Sequence, residues 1–217
     1  MANTFIKLAR RIQQVQPSMT LAIDAKAKAM KAKGLDVIGF GAGEPDFYTP
    51  DNVKLAGKRA IDDNQTRYTP VPGTPTLKKA IANKLQNENC LSYAAEQIIV
   101  SCGAKHSLYN LAQVLWEEGD EILIPAPYWV SYPDMVLLAE GEPVIVNCTQ
   151  DSNFKLTAEA LEAAITPKTK WLILNSPSNP TGFAYTHNEI KALTEVLMKY
   201  PHIYMLSDDM YEHLVYD

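Results

Sequence analysis

The segment Ser207-Asp208-Asp209-Met210-Tyr211-Glu212 sets a carboxylate directly after the apolar run Ile203-Tyr204-Met205-Leu206. A carboxylate carried to the end of an apolar strand must find a partner. It can cap a following helix, or it can pair with a protonated heterocyclic nitrogen and favour that charged form. Three other apolar runs also end in residues with chemical potential. After Ile98-Ile99-Val100 come Ser101-Cys102-Gly103-Ala104-Lys105, where glycine leads into a helix pattern. The free N–H groups and positive dipole of that helix start suit a phosphate, although a tight connection beside a solvated Lys105 is the plainer alternative. After Ile122-Leu123-Ile124 stands Pro125-Ala126-Pro127-Tyr128-Trp129, whose indole can be core or interface, or can cover the face of a flat ring. After Trp171-Leu172-Ile173-Leu174 comes Asn175-Ser176-Pro177-Ser178-Asn179-Pro180-Thr181-Gly182. This is either simply a rigid loop or a rigid holder for an asparagine donor facing a ligand oxygen.

A phosphate cup, a ring-covering aromatic, an asparagine donor and an acid for a ring nitrogen outline a single ligand, a phosphorylated pyridine. That outline points to pyridoxal 5′-phosphate, for which an acid beneath the pyridinium nitrogen is a recognisable requirement.

The elements that must position these residues are legible in the spacing. Five β-rich runs recur from residue 97 onward, with Val144-Ile145-Val146 as the fifth, and their starts lie too far apart for hairpins. Such spacing suits a strand, a crossover helix and the next parallel strand, a topology in which ligands collect at the carboxyl ends of the strands. Leu108, Leu111, Ala112 and Leu115 fall on one helical face, and Ile190, Leu193 and Leu197 repeat the pattern. The runs are apolar without alternation, so both faces of the sheet should be covered. Ahead of residue 97, helices are expected over 22–33, 50–63 and 76–89. A short strand at Val37-Ile38 should run into a turn containing Gly39, Gly41 and Gly43. That turn fails the dinucleotide pattern, because Glu44 or Asp46 takes the place of the third glycine and Pro45 opposes a helix. A nicotinamide cofactor is therefore disfavoured, and no Walker loop is present.

Composition limits the alternatives. The chain has 217 residues, 47% hydrophobic and 21% charged, which fits one large domain or two small ones. Twenty Lys and Arg against 25 Asp and Glu give a formal charge of −5, a poor electrostatic basis for binding nucleic acid. No apolar stretch approaches the ~20 residues of a membrane span. Cys90, Cys102 and Cys148 are odd in number and form no C-x-x-C pair, which suits a reducing cytoplasm. Lys7, Arg10 and Arg11 without an early acid can be read as a transit segment, but Phe5, Leu8 and Ile12 favour an ordinary amphipathic helix.

Four motifs in order carry a resemblance across nearly the whole chain: Gly-Glu-Pro-Asp-Phe at 43–47, Tyr-Trp-Val-Ser-Tyr at 128–132, Asn-Pro-Thr-Gly at 179–182 and Ser-Asp-x-x-Tyr-Glu-His-Leu at 207–214. Together they resemble the class I aminotransferases of fold type I, with greatest similarity to bacterial aspartate aminotransferases. The resemblance implies an α/β/α sandwich, the large domain of that fold, truncated before its last strands. It also implies a division into residues 1–45, part of a small domain, and 46–217, an incomplete coenzyme-binding domain. Asp208 would pair with the pyridinium nitrogen, Tyr211 and Asn179 would bond the 3′-oxygen, and Trp129 would stack on the ring. Gly103 and the amides of Ala104 and Lys105 would form the phosphate cup. Tyr68 would reach the phosphate of a neighbouring subunit in a homodimer. Gly43 would meet the substrate α-carboxylate, with Trp129 and Asn179 also at the substrate. Lys105, with polar residues near Ser18 and Thr20, would recognise a distal carboxylate.

The resemblance also implies features for which this sequence has no counterpart. The Schiff-base lysine lies beyond the aspartate–tyrosine pair in the family, and the arginine for the α-carboxylate lies later still. Two later strands of the family's sheet separate the run ending at Val100 from the run ending at Leu206. The expectation is that residues 1–217 alone fold poorly or form the amino-terminal half of a longer protein. The expected activity is exchange of an amino group between an acidic amino acid and 2-oxoglutarate, with an aromatic, prephenate-like or branched-chain transaminase as runner-up. The non-enzymatic alternative is an inert truncated chain or a dimerisation partner for an intact subunit.

Overall fold

The computed structural model describes residues 7–15, 17–41, 43, 45, 47–214 and 216. Phe5, Glu44 and Asp46, which the sequence reading used, lie outside the described residues. The chain divides into two compact units, one of 1–16 with 104–217 and one of 17–103.

The unit that carries most of the chemistry is a four-stranded parallel sheet with helices on both faces. Its elements are α4 (Ala104–Leu115), β1 (Glu121–Ala126), α5 (Ser131–Leu138), β2 (Glu142–Asn147), α6 (Ala158–Ala164), β3 (Thr169–Asn175), α7 (His187–Leu197) and β4 (Tyr204–Asp208). The labels α1 to α3 belong to the other unit. Strand order is β2-β1-β3-β4, and all pairs are parallel. The chain leaves β1 toward β2 and then crosses back past β1 to β3, so the direction of winding reverses between β1 and β3. Carboxyl ends beside such a reversal are where open α/β sheets bind ligands.

Alternating strand residues enter two cores. Ile122, Ile124, Ile173 and Leu206 pack on one face with Ala112, Tyr132 and Val136 from α4 and α5. Leu123, Val146, Leu172 and Leu174 pack on the other with Leu161 of α6 and with Leu193 and Val196 of α7. This two-sided burial accounts for the uninterrupted apolar runs. Thr157 caps α6, its hydroxyl accepting the Ala160 N–H, and Thr186 with Glu189 forms a capping box at the start of α7.

The second unit contains α1 (Met19–Ala32), α2 (Asp51–Asp62) and α3 (Pro75–Asn89). Ser18 and Thr74 cap α1 and α3 through the N–H groups of Leu21 and Leu77, and Pro75 occupies the first helical position of α3.

Three expectations are corrected. Ile98-Ile99-Val100 is not a strand: Val100 N–H donates to the Pro72 carbonyl at 3.0 Å, but proline has no N–H to return, so no ladder grows from that contact. Ile99 is accordingly 72% exposed. Val37-Ile38 forms no strand and joins no sheet among the described residues. At the amino terminus the described structure is a short 3₁₀ segment, Arg10–Gln14, with no buried residue, rather than an amphipathic α-helix. Among the described residues, no helix is long and apolar enough to cross a membrane.

Candidate active site

The tips of β1, β3 and β4 bring together side chains far apart in sequence. Asp208, the last residue of β4, is partly buried and held at three points. Its Oδ2 accepts the Tyr132 hydroxyl at 2.6 Å, its Oδ1 accepts the Met210 N–H at 3.2 Å, and its main-chain carbonyl accepts the Asn175 amide at 2.8 Å. The partner that a carboxylate requires at the end of an apolar strand is thus chiefly Tyr132. The Met210 contact is a local turn and not a helix cap, since turns and no helix follow Asp208 among the described residues.

From Asp208 the network continues through the loop after β3. The Asn175 side-chain oxygen accepts the Asn179 N–H at 2.8 Å, which ties the first asparagine of that loop to the second. The Asn179 amide then donates to the Tyr211 hydroxyl at 3.3 Å. Tyr211 accepts in that bond, so its own proton and the second amide hydrogen of Asn179 are left as donors for an oxygen placed beside them.

Trp129 lies just after β1. Its indole meets the Tyr132 ring edge-on, with centroids 5.4 Å apart at 85°. Lys105 places its ammonium 4.8 Å from the indole centroid, a cation–π contact. Lys105 is in the first turn of α4, whose leading N–H groups, including those of Ala104 and Lys105, have no acceptor within the helix. A cavity of about 20 Å³ lies under the loop after β3, lined in part by Tyr128, Tyr132, Asn175, Asn179 and Thr181. It has room for one water and is far smaller than a pocket for an organic ligand.

The electrostatics follow from burial. Desolvation first, then the hydrogen bond and charge of Asp208, raise the Tyr132 phenol far above the ordinary tyrosine range. Tyr185 is pushed up to about 12, mainly by burial, and its hydroxyl accepts the Leu156 N–H at 2.8 Å. Both hydroxyls therefore keep their protons at neutral pH.

Of the site residues named from sequence, Ala104, Lys105, Trp129, Asn179, Asp208 and Tyr211 belong to this unit. Gly103, Gly43 and Tyr68 belong to the other. Gly103 has a φ of +87°, a left-handed conformation that suits glycine, and donates its N–H to Ser101 O at 2.9 Å. Gly43 and Tyr68 are exposed, and Ser18 is engaged as the α1 cap. Sequence reasoning assigned no role to Tyr132 or Asn175. Both lay inside quoted segments, and Tyr132 follows Trp129 by three residues, the spacing that brings side chains together at a helix start. Among the described residues, no cluster of His, Cys, Asp and Glu could hold a metal ion.

A carboxylate, a paired amide and phenol, a partly buried indole and a helix amino terminus on one parallel sheet suit a flat, anionic, nitrogen-containing coenzyme. Comparison with known proteins leads to the same class. The sequence profile described as Aminotransferase class I and II matches residues 35–217. A probable aspartate/prephenate aminotransferase of Rhizobium leguminosarum bv. phaseoli is 59% identical over 209 residues, 96% of this chain and 52% of that protein. The aspartate/prephenate aminotransferase of Cereibacter sphaeroides is 58% identical, over 97% of this chain and 52% of that protein. Among solved structures, the aspartate aminotransferase of Rhizobium meliloti superposes with a TM-score of 0.94 at 52% identity, covering 98% of this chain and 53% of that one. The Thermus thermophilus aspartate aminotransferase with maleate gives a TM-score of 0.94 at 43% identity, covering 98% of this chain and 56% of that one. The chain belongs to the class I and II aminotransferase family. It spans about half the length of the relatives it matches.

Proposed function

We propose that this polypeptide supplies the coenzyme cradle of a pyridoxal-phosphate-dependent aminotransferase that moves an amino group between aspartate, or a similar acidic amino acid, and a 2-oxo acid such as 2-oxoglutarate. The observation that carries the reading is the continuous hydrogen-bonded chain Tyr132–Asp208–Asn175–Asn179–Tyr211, which sets an acid and two oxygen-directed donors beside Trp129.

When bound, the coenzyme supplies an electron sink for charge released at the substrate α-carbon. The chain's own residues bind and orient it. Asp208 would hold the proton on the ring nitrogen by pairing with it. Asn179 and Tyr211 would donate to the ring's phenolic oxygen. Trp129 would cover one ring face, outside the water-sized cavity, and the first amides of α4 would receive the phosphate. Lys105 would sit where it can meet an acidic substrate, and the Thermus enzyme, a structural neighbour, was solved with the dicarboxylate maleate. Gly103 in the phosphate cup, Gly43 at the α-carboxylate and Tyr68 donated across a homodimer belong to the same proposal for the complete protein. So do a cytoplasmic location and the division into 1–45 and 46–217. The aspartate/prephenate aminotransferases of Rhizobium and Cereibacter favour a prephenate-like substrate as the alternative.

The test uses the protein expressed from its complete reading frame. Saturable binding of pyridoxal phosphate, with a visible absorbance band and quenched tryptophan fluorescence, is expected. Amino transfer from aspartate to 2-oxoglutarate should accompany it and fall by orders of magnitude in Asp208→Asn. A protein that neither acquires the band nor quenches overturns the reading. Binding without aspartate turnover, but with turnover of an aromatic donor, would replace the substrate assignment.

A further inference from the structure

Tyr132 has no role of its own toward the coenzyme in the reading above, yet it is the side chain most directly engaged with Asp208. Its ring is buried, 3% exposed, in the core that α4 and α5 form on the sheet. Its hydroxyl reaches out of that core to Asp208 Oδ2 at 2.6 Å, across 76 positions of sequence. A hydrogen bond to an ionised acceptor is among the stronger kinds and constrains direction as well as distance. The remaining contacts of Asp208 come from backbone and from Asn175, so Tyr132 is the side chain that fixes the carboxylate head.

The same ring meets Trp129 edge-on at 5.4 Å. Trp129 and Tyr132 bracket the start of α5, so one turn of backbone carries both the indole and the phenol that aims the acid. The Tyr132 proton stays in place through neutral pH, which keeps the hydroxyl the donor and the carboxylate the acceptor.

We propose that Tyr132 is a positioning residue of the coenzyme site, holding one oxygen of Asp208 so that the carboxylate presents its other lone pairs to the coenzyme ring nitrogen, in register with the ring face on Trp129. The inference rests on the coenzyme reading above. A plain core tyrosine would stabilise the fold without affecting how Asp208 meets a ligand, and the two roles separate by experiment.

The probe is pyridoxamine phosphate, titrated by tryptophan quenching into the coenzyme-free form of the protein expressed from its complete reading frame. Tyr132→Phe, which keeps the ring against Trp129, should weaken binding about tenfold, the order expected for one hydrogen bond to a charged group. In an Asp208→Asn background, the same substitution should cost less than about twofold, because the phenol acts through the carboxylate. 4-Aminophenylalanine at position 132 returns an N–H donor to the same place and should recover affinity to within about threefold of the wild type, which separates lost donation from lost folding. Unchanged affinity in Tyr132→Phe, equal losses in both backgrounds, or no recovery with the amino analogue would overturn the inference while leaving the coenzyme reading intact. Failure of the unmodified protein to bind the probe would overturn both.

Discussion

Asn175 and Asp208 are partners at the last register position of β3 and β4, and the Asn175 amide donates to the Asp208 main-chain carbonyl at 2.8 Å. Side chain thus extends the sheet's hydrogen bonding one step past the strands. With its other end Asn175 accepts the Asn179 N–H, so one asparagine fixes both the acid strand and the donor loop.

Asn175→Ala should therefore destabilise the protein by about 1–3 kcal/mol, the cost of leaving the partly buried Asn179 N–H unsatisfied, while the Asp208 carbonyl keeps the Ser176 N–H at 3.3 Å. Coenzyme affinity should fall as well, since Asn179 loses its anchor. Urea unfolding of the complete protein checks the first effect and coenzyme titration the second. A variant that matches wild type in both would show the Asn175 bonds to be incidental.

A second expectation concerns the start of β2. Gly141 lies where an added Cβ would stand 2.9 Å from Ile122 Cδ1 and 3.2 Å from Val136 Cγ1, both on fully buried side chains. Gly141→Ala forces those side chains to shift in a filled core and should cost about 1–3 kcal/mol. Thermal melting is the measurement, and an unchanged midpoint would mean that Ile122 can move aside freely.

Acid sensitivity can be assigned to α7. The Glu189 carboxylate is held below the ordinary glutamate range, first by the hydrogen bond from Lys155 and then by the Thr186 N–H. A folded-state value below the unfolded one means stabilisation that is present above the ordinary glutamate range and is lost as pH falls through the lowered value. Glu189→Gln keeps an oxygen for the cap but removes the charge. Because the carboxylate is 38% exposed, the loss at neutral pH should stay below about 1 kcal/mol. Denaturation of both proteins across an acid series should show the gap closing as pH falls. A gap that widens toward acid would reverse the assignment.

The chain's patterning revealed most of the central sheet because the inner strands β1 and β3 are buried on both faces, so Ile122-Leu123-Ile124 and Trp171-Leu172-Ile173-Leu174 are unbroken. The same logic misled at Ile98-Ile99-Val100, an apolar run that joins no sheet and whose Val100 N–H donates to the Pro72 carbonyl. α5 and α6 are implied by the strand spacing but show no clear helical pattern of their own, for opposite reasons. α5 has Pro133 in its first turn and apolar residues nearly all around it, while α6 is a seven-residue, alanine-rich piece whose only buried residue is Leu161. At the site, Asp208, Tyr211, Asn179 and Trp129 were legible because each follows an apolar run. Tyr132 was not, since its link to Asp208 exists only once α5 has packed beside the sheet.

The strand order described above has a further consequence. The strands hold Asp208, Asn175 and Trp129 at one rim, while their alternating aliphatic residues stay sealed within two cores. Recognition and cohesion are thus written in different letters of the same polypeptide. The division is incomplete at Asn175 and Tyr132, whose hydrogen bonds to Asp208 tie the rim to the scaffold, so only rim residues outside that pair can be exchanged without loosening it.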